Sequence, residues 1–235
     1  MKNTKEGIVL KRLNYSETSL IITFFTKENG IKTFLFQGAK KKKGNILHPL
    51  AIVEISSFSR SDSSLEKISS IERIVNTDKI TTNPIKSSVS FFIAELLMLC
   101  LHDSDEDKRL YLFISDEVHY ISGEKLSPSY LIWFMLKLSG FLGFQPNSTE
   151  ETTPFLDLEE GVFIPYKPSN HKFVNDEGVK YLNKINQVSK NEALSLTIPK
   201  SLKSLMLNTL LTYFEYHLPN FKTPKSYAII KAVFE

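Results

Sequence analysis

The hydrophobic period of this chain changes at Asn83-Pro84. Before that point, apolar residues alternate with polar ones or gather in short β-branched and aromatic runs. Beyond it they recur at three- and four-residue steps. A period of two suits a strand with one buried face, and a period near 3.6 suits an amphipathic helix. The change divides the chain into a β-rich segment, residues 1–80, and a helical segment, residues 81–235.

The first segment contains five strand candidates. Gly7 to Leu13 leads into the turn-prone Asn14-Tyr15-Ser16-Glu17, and Ser19 to Thr26 follows. Asn29-Gly30 then offers the two positive φ values of a tight hairpin turn before Ile31 to Gln37. Ala51 to Phe58 and Leu65 to Ile74 are joined by the polar run Ser59 to Ser64. In Val53-Glu54-Ile55 and Leu65-Glu66-Lys67-Ile68, charges interrupt the apolar positions, as expected where one sheet face meets water. Five short antiparallel strands fit an oligonucleotide-binding (OB) barrel. An SH3-like barrel is the rival, and strand count alone does not separate the two.

In the second segment Ile85, Val89, Phe92, Leu96 and Leu99 mark one helix, and Leu110 to Ile121 a second. Ser127-Pro128 opens a third, in which Tyr130 to Leu142 is apolar nearly all round, the pattern of a core helix. Helical patterns resume over Asn175 to Val188, from Pro199 to Pro219, and over Lys225 to Phe234. Between them, residues 145–173 form an irregular insertion in which Phe155–Leu158 and Val162–Ile164 predict a small hairpin around Glu159-Glu160-Gly161. The fold class expected is thus α+β: a five-stranded barrel followed by a helical domain.

No catalytic constellation stands out. The histidines are scattered, with no pair at the i, i+4 spacing of a helical metal site. Asp103-Ser104-Asp105-Glu106-Asp107 lacks the turn glycine and later bidentate glutamate of a calcium loop, and reads as a solvated helix-linking loop with N-cap character. There is one cysteine, Cys100, which leaves no internal disulfide and no cysteine-rich zinc site. No apolar run approaches the length of a membrane span, and the N-terminus has no signal-peptide pattern, so a cytoplasmic protein without a cofactor is expected.

Charge points elsewhere. Residues 1–80 hold 14 Lys and Arg against 8 Asp and Glu, whereas residues 81–235 hold 15 against 18. The densest cluster is Lys40-Lys41-Lys42-Lys43, bounded by Gly38 and Gly44 and placed directly after the third strand candidate. Flexible ammonium groups on a barrel loop suit a phosphate backbone. Lys11, Arg12, Lys27, Lys32 and Arg60 extend the basic surface beside Phe24, Phe25, Phe34, Phe36 and Phe58. Alternation must turn some of these rings inward, and Tyr15, in a turn, is the ring expected to meet solvent and stack on a base.

Several of these segments, taken in order, resemble the RecO family of bacterial recombination mediators. The N-terminal resemblance lies in Gly7-Ile8-Val9-Leu10, Tyr15-Ser16-Glu17-Thr18-Ser19, Phe25-Thr26 with Asn29-Gly30, Gly38-Ala39-Lys40-Lys41, His48-Pro49-Leu50 and Val53-Glu54. At the C-terminus it lies in Leu210 to Pro219 and in Lys225-Ser226.

The resemblance implies an N-terminal OB domain, a helical C-terminal domain and no catalysis of bond chemistry. It implies binding of single- and double-stranded DNA, annealing of complementary strands, and work with RecR, and in some settings RecF, to load RecA onto strands coated by SSB. It also implies a site for the acidic, apolar C-terminal tail of SSB in the helical domain, for which Lys203, Tyr213, Phe214, Tyr216, Lys222 and Lys225 are the candidates. Many relatives carry a four-cysteine zinc module where this chain has residues 145–173 without cysteine, so a metal-free insertion is expected. The alternative from another class is a protein-interaction adaptor built on an OB or SH3-like barrel.

Overall fold

A computed structural model describes residues 3–39, 46–58, 65–101, 106–123, 125–148, 153–169 and 172–234. The chain forms two compact units, residues 1–125 and 126–235.

The first unit is built on a closed barrel of β1 (Asn3–Asn14), β2 (Leu20–Thr26), β3 (Gly30–Phe36), β4 (Ile52–Phe58) and β5 (Lys67–Arg73). Neighbours run in the order β1, β2, β3, β5, β4, and β4 pairs back onto β1. The return of β5 beside β3, in parallel, makes this a Greek-key barrel of the OB type and not the SH3-like rival. Closure depends on β1 serving two partners. Asn3 to Ile8 pair with β4, while Gly7 to Asn14 pair with β2. A bulge at Leu10 bends the strand between these two roles.

Inside the barrel lie Val9, Leu20, Ile22, Phe24, Phe34, Phe36, Val53, Ile55, Ile68 and Ile71. The Phe24 and Phe34 rings meet edge to face at 5.7 Å. Phe25 has the opposite parity and points outward, yet it is buried because the Tyr111 ring lies 5.7 Å away. The β2–β3 hairpin differs from the tight turn expected. Thr26 pairs with Gly30 across three residues, and Gly30 alone has positive φ, 60°. The Thr26 hydroxyl accepts from the Asn29 amide at 3.2 Å and donates to the Gly30 carbonyl at 2.8 Å, closing the longer loop.

Among the described residues of this unit, the barrel is joined by α1 (Asp78–Thr81), α2 (Pro84–Cys100) and α3 (Lys108–Ser122). Asn83 caps α2 just ahead of its N1 proline, and Asp107 caps α3 through the Arg109 and Leu110 amides.

The second unit contains α4 (Tyr130–Phe141), α5 (Glu177–Gln187), α6 (Lys190–Ser195), α7 (Lys200–His217) and α8 (Tyr227–Phe234). α4 is buried from Tyr130 through Leu136, as its all-round apolar pattern predicts. The short α6 has a capping box between Ser189 and Glu192, the structural counterpart of a Ser-x-x-Glu signal in the sequence. The insertion is more than a hairpin. β7 (Phe155–Asp157) and β8 (Val162–Ile164) pair as expected, but β6 (Asn147–Ser148) and β9 (Phe173–Val174) extend them to a four-stranded sheet.

Polar and aromatic contacts fasten that sheet to α7. The Tyr213 hydroxyl donates to the Phe144 carbonyl at 2.6 Å, and His217 Nε2 donates to the Leu158 carbonyl at 2.9 Å. The His217 ring stacks on Phe144 with centroids 5.2 Å apart. Asp157 accepts from the Glu159 and Glu160 amides and so holds the β7–β8 turn. These residues do not fit a zinc module. Residues 145–173 contain no cysteine, and among the described residues no group of three or more His, Cys, Asp or Glu converges as metal ligands.

Gly161, in this turn, has φ of 65°, and a Cβ there would meet the Tyr213 hydroxyl at 2.5 Å. Gly161→Ala should therefore lower stability by about 2 kcal/mol through left-handed strain plus overpacking. Urea unfolding of the two proteins checks this, and equal midpoints would contradict it.

Candidate nucleic-acid interface

Strand register sorts the basic residues expected to bind into two groups at opposite ends of the barrel. Asn14 pairs with Leu20, and Leu20 with Phe36, so the β1–β2 loop and the exit from β3 share one end. Thr26 and Gly30 lie at the other. Six strand steps separate the ends of β2, about 20 Å.

At the first end, Tyr15 is 63% exposed in the β1–β2 loop, as its turn position predicts. Leu13, beside it, is 50% exposed. Lys11 faces Thr23 on the outer sheet surface, where Thr23 and Thr33 share a hydrogen bond of 3.1 Å. Arg12, one residue on, has the opposite parity and pairs with Ile22 on the part of β1 that runs beyond its pairing with β4. The connection from β3 to β4 also leaves from this end. Lys40–Lys43 lie outside the described residues, but both roots of that segment are fixed. Ala39 and Leu47 are fully buried in the barrel core.

The second end is charge-balanced. Lys27 Nζ lies 3.6 Å from Glu6, and Lys5 Nζ lies 3.0 Å from Glu66. Glu66 also accepts from the Ser57 hydroxyl at 2.7 Å. Burial pushes the Glu66 pKa up, but the hydrogen bonds from Ser57 and Lys5, with the Lys5 and Lys32 charges, bring it below its ordinary value. Lys27 and Lys32 thus sit among carboxylates and away from Tyr15. Arg60 lies outside the described residues. Of the barrel phenylalanines, Phe24, Phe25, Phe34 and Phe36 are buried, and only Phe58 is partly open.

Two basic residues that sequence reasoning did not select stand at the first end. His48 follows the lysine segment, and Arg73 ends β5. His48 Nδ1 lies 2.9 Å from the Pro49 carbonyl, which can only accept, so this nitrogen carries the hydrogen. Nε2 then accepts from the Thr77 hydroxyl at 2.6 Å. Burial lowers the His48 pKa below 6.5; the Pro49 bond and Asp78 oppose this, while Arg73 and Arg12 reinforce it.

In the second unit, the residues expected to form a peptide pocket are not brought together. Tyr213 and Phe214 are buried, and they pack against Phe144 with ring centroids 5.8 and 5.0 Å away. The Tyr213 hydroxyl is spent on the Phe144 carbonyl. Burial also pushes the Tyr213 pKa far up, so that hydroxyl keeps its proton as a donor. Lys203 and Tyr216 are thirteen residues apart on α7, about 20 Å along the helix axis. Tyr216 is exposed, with Lys172 Nζ 5.7 Å from its ring centre. Lys222 and Lys225 are exposed on the segment between α7 and α8.

The neutral His48 has a consequence for stability. Its folded pKa lies below the unfolded value, so its contribution is present above pH 6.5 and is lost as pH falls through the folded pKa. The melting temperature should therefore fall as pH drops from 6.5 towards 5, before most carboxylates protonate, and His48→Gln should flatten that fall. Scanning calorimetry of both proteins checks it. Parallel curves would contradict it.

The comparisons with known proteins agree with this architecture. A family model described as Recombination protein O N terminal matches residues 1–76, and one described as Recombination protein O C terminal matches residues 82–226. The chain is 26% identical over 239 residues to the DNA repair protein RecO of Flavobacterium psychrophilum, covering 100% of both chains. It is 27% identical over 236 residues to the DNA repair protein RecO of Azobacteroides pseudotrichonymphae, covering 98% of each. The DNA repair protein RecO of Phocaeicola vulgatus is 26% identical over 234 residues, with 97% of each chain covered. Among the described residues, no helix is long and apolar enough to cross a membrane. On the strength of matches to both halves, this chain belongs to the recombination protein O, or RecO, family.

Proposed function

We propose that this protein is a cytoplasmic, non-enzymatic DNA-binding mediator of recombinational repair. In this reading it binds single- and double-stranded DNA, anneals complementary strands, and works with RecR to load RecA onto strands coated by SSB. The observation that carries the reading is the gathering of cations at one barrel end. The β1–β2 loop with Tyr15, Arg12 on the outlying part of β1, Arg73 at the end of β5 and both roots of the Lys40–Lys43 segment share that end, while Lys11 faces Thr23, midway along β2, on the outer surface. The other end pairs its lysines with Glu6 and Glu66.

The chemistry follows from charge. Two complementary strands repel each other through their phosphates, and a surface that presents cations lowers the cost of approach and raises the encounter rate. Lysines hold phosphates as point charges in many registers, which suits binding without base readout. Tyr15 adds a stacking surface that accepts any base. Lys27, Lys32 and Arg60 are outer contacts in this reading. RecR, RecF and the C-terminal tail of SSB are partners by family likeness. For the tail, Tyr216, Lys222 and Lys225 are the solvent-facing members of the expected set, and Lys203 is a more distant one.

Replacing Lys40–Lys43 with alanine should weaken binding to single-stranded oligonucleotides of any sequence. It should also reduce the slope of log affinity against log salt by about 0.7 for each phosphate that is no longer neutralised. Fluorescence anisotropy at several salt concentrations measures both. Unchanged affinity and slope would overturn the assignment. Tyr15→Ala should cost about 1–3 kcal/mol of binding with the salt slope unchanged.

A further inference from the structure

The first end of the barrel carries a cluster of basic side chains whose members come from three separate parts of the first unit. Arg12 comes from β1, Arg73 from the end of β5, and His48 from the connection that follows the lysine segment. Arg73 pairs with Val53, a barrel-core residue, and Arg12 pairs with Ile22, another. Both therefore have inward parity at positions where the barrel stops. Both lie close enough to act electrostatically on the His48 ring, as does Asp78 of α1.

The cluster is partly neutralised. Asp78 Oδ1 lies 2.5 Å from Arg73 Nη1, and the Asp78 side chain is 62% exposed. A solvent-facing pair of this kind is weakly held and readily exchanges one anion for another. His48 is fixed by two hydrogen bonds, and its ring can accept a proton without turning. Nε2 would then donate to Thr77 Oγ1, since a hydroxyl serves equally as acceptor.

We propose that Arg12, Arg73 and His48 form a phosphate subsite for a nucleic-acid backbone, in which a phosphate takes the place of Asp78 on Arg73 and His48 takes up one proton from solvent. The assignment rests on the DNA-binding reading and deepens it. The occupant is a backbone phosphate because the cluster shares a barrel end with the exposed Tyr15 ring, so a phosphate and a neighbouring base meet partners at the same time. The lowered pKa of His48 adds that the free protein holds the ring neutral, leaving a proton to be gained on binding. DNA affinity then rises as the solution is made mildly acidic.

The test combines an NMR titration of the His48 ring with salt-dependent binding. The ring is titrated in the free protein, with a single-stranded thymidine oligonucleotide, and with inorganic phosphate at matched phosphate concentration. The subsite predicts a higher His48 pKa with oligonucleotide and little change with inorganic phosphate. Arg73→Gln should remove that rise and reduce the salt slope by about 0.7, and Arg73→Lys should restore most of the slope. Oligonucleotide binding with an unmoved His48 and an unchanged slope in Arg73→Gln would overturn the subsite and leave the DNA-binding reading standing. An equal rise with inorganic phosphate would overturn the backbone as its ligand. Failure of the oligonucleotide to bind at all would overturn both.

Discussion

Closure of the barrel through a single bent strand is the constraint on which the first unit depends. β1 supplies one edge to β4 and the other to β2, and the bulge at Leu10 makes both pairings possible. The bulge has a second effect. It resets parity, so Lys11 meets Thr23 on the outer surface while Arg12 turns toward the barrel end. Were Leu10 to pair with Thr23 in an unbroken ladder, the two cations would exchange faces. Fold and proposed binding surface thus share one local irregularity.

The division of charge between the barrel ends follows from the same register. Glu6 holds Lys27 beside the outward residues Ile8 and Phe25, whereas Glu66 holds Lys5, whose ammonium lies over the inward Phe34 ring. At the other end the cations come from loops and strand ends, where fewer carboxylates intervene among the described residues. Strand pairing fixes the first set of neighbours, whereas the described part of the β3–β4 connection is held by the burial of Ala39 and Leu47 and by hydrogen bonds of His48 and Leu50.

Much of this architecture was legible in the sequence. Alternation located all five barrel strands, and the three- and four-residue steps located the long helices. The barrel type was not legible, because it depends on the parallel pairing of β3 with β5, a contact between segments well separated along the chain. The Leu10 bulge was also hidden, since an ordinary leucine occupies it. Tyr15 was found because a ring in a polar turn has nowhere to bury. The reason for the burial of Phe25 was not legible, because its parity is outward and Tyr111, far along the chain, covers it. Tyr213 and Phe214, expected in an accessible pocket, are buried. Their helical stripe fits a pocket or a core equally well, and only packing against Phe144 decides it. Arg73 carried no local signal, and His48, though part of a segment that carries the family resemblance, gave no sign of a binding role. Their meaning comes from convergence of β1, β5 and the β3–β4 connection.

The central claim is that DNA meets one end of the barrel. The most direct measurement is mapping of amide chemical-shift changes on adding a short single-stranded oligonucleotide to the isotopically labelled full chain. The account predicts that the changes concentrate at Lys11 to Ser16, at the roots of the lysine segment near Ala39 and Leu47, and at Arg73. Changes concentrated around Lys27 and Lys32, or confined to residues 126–235, would contradict it.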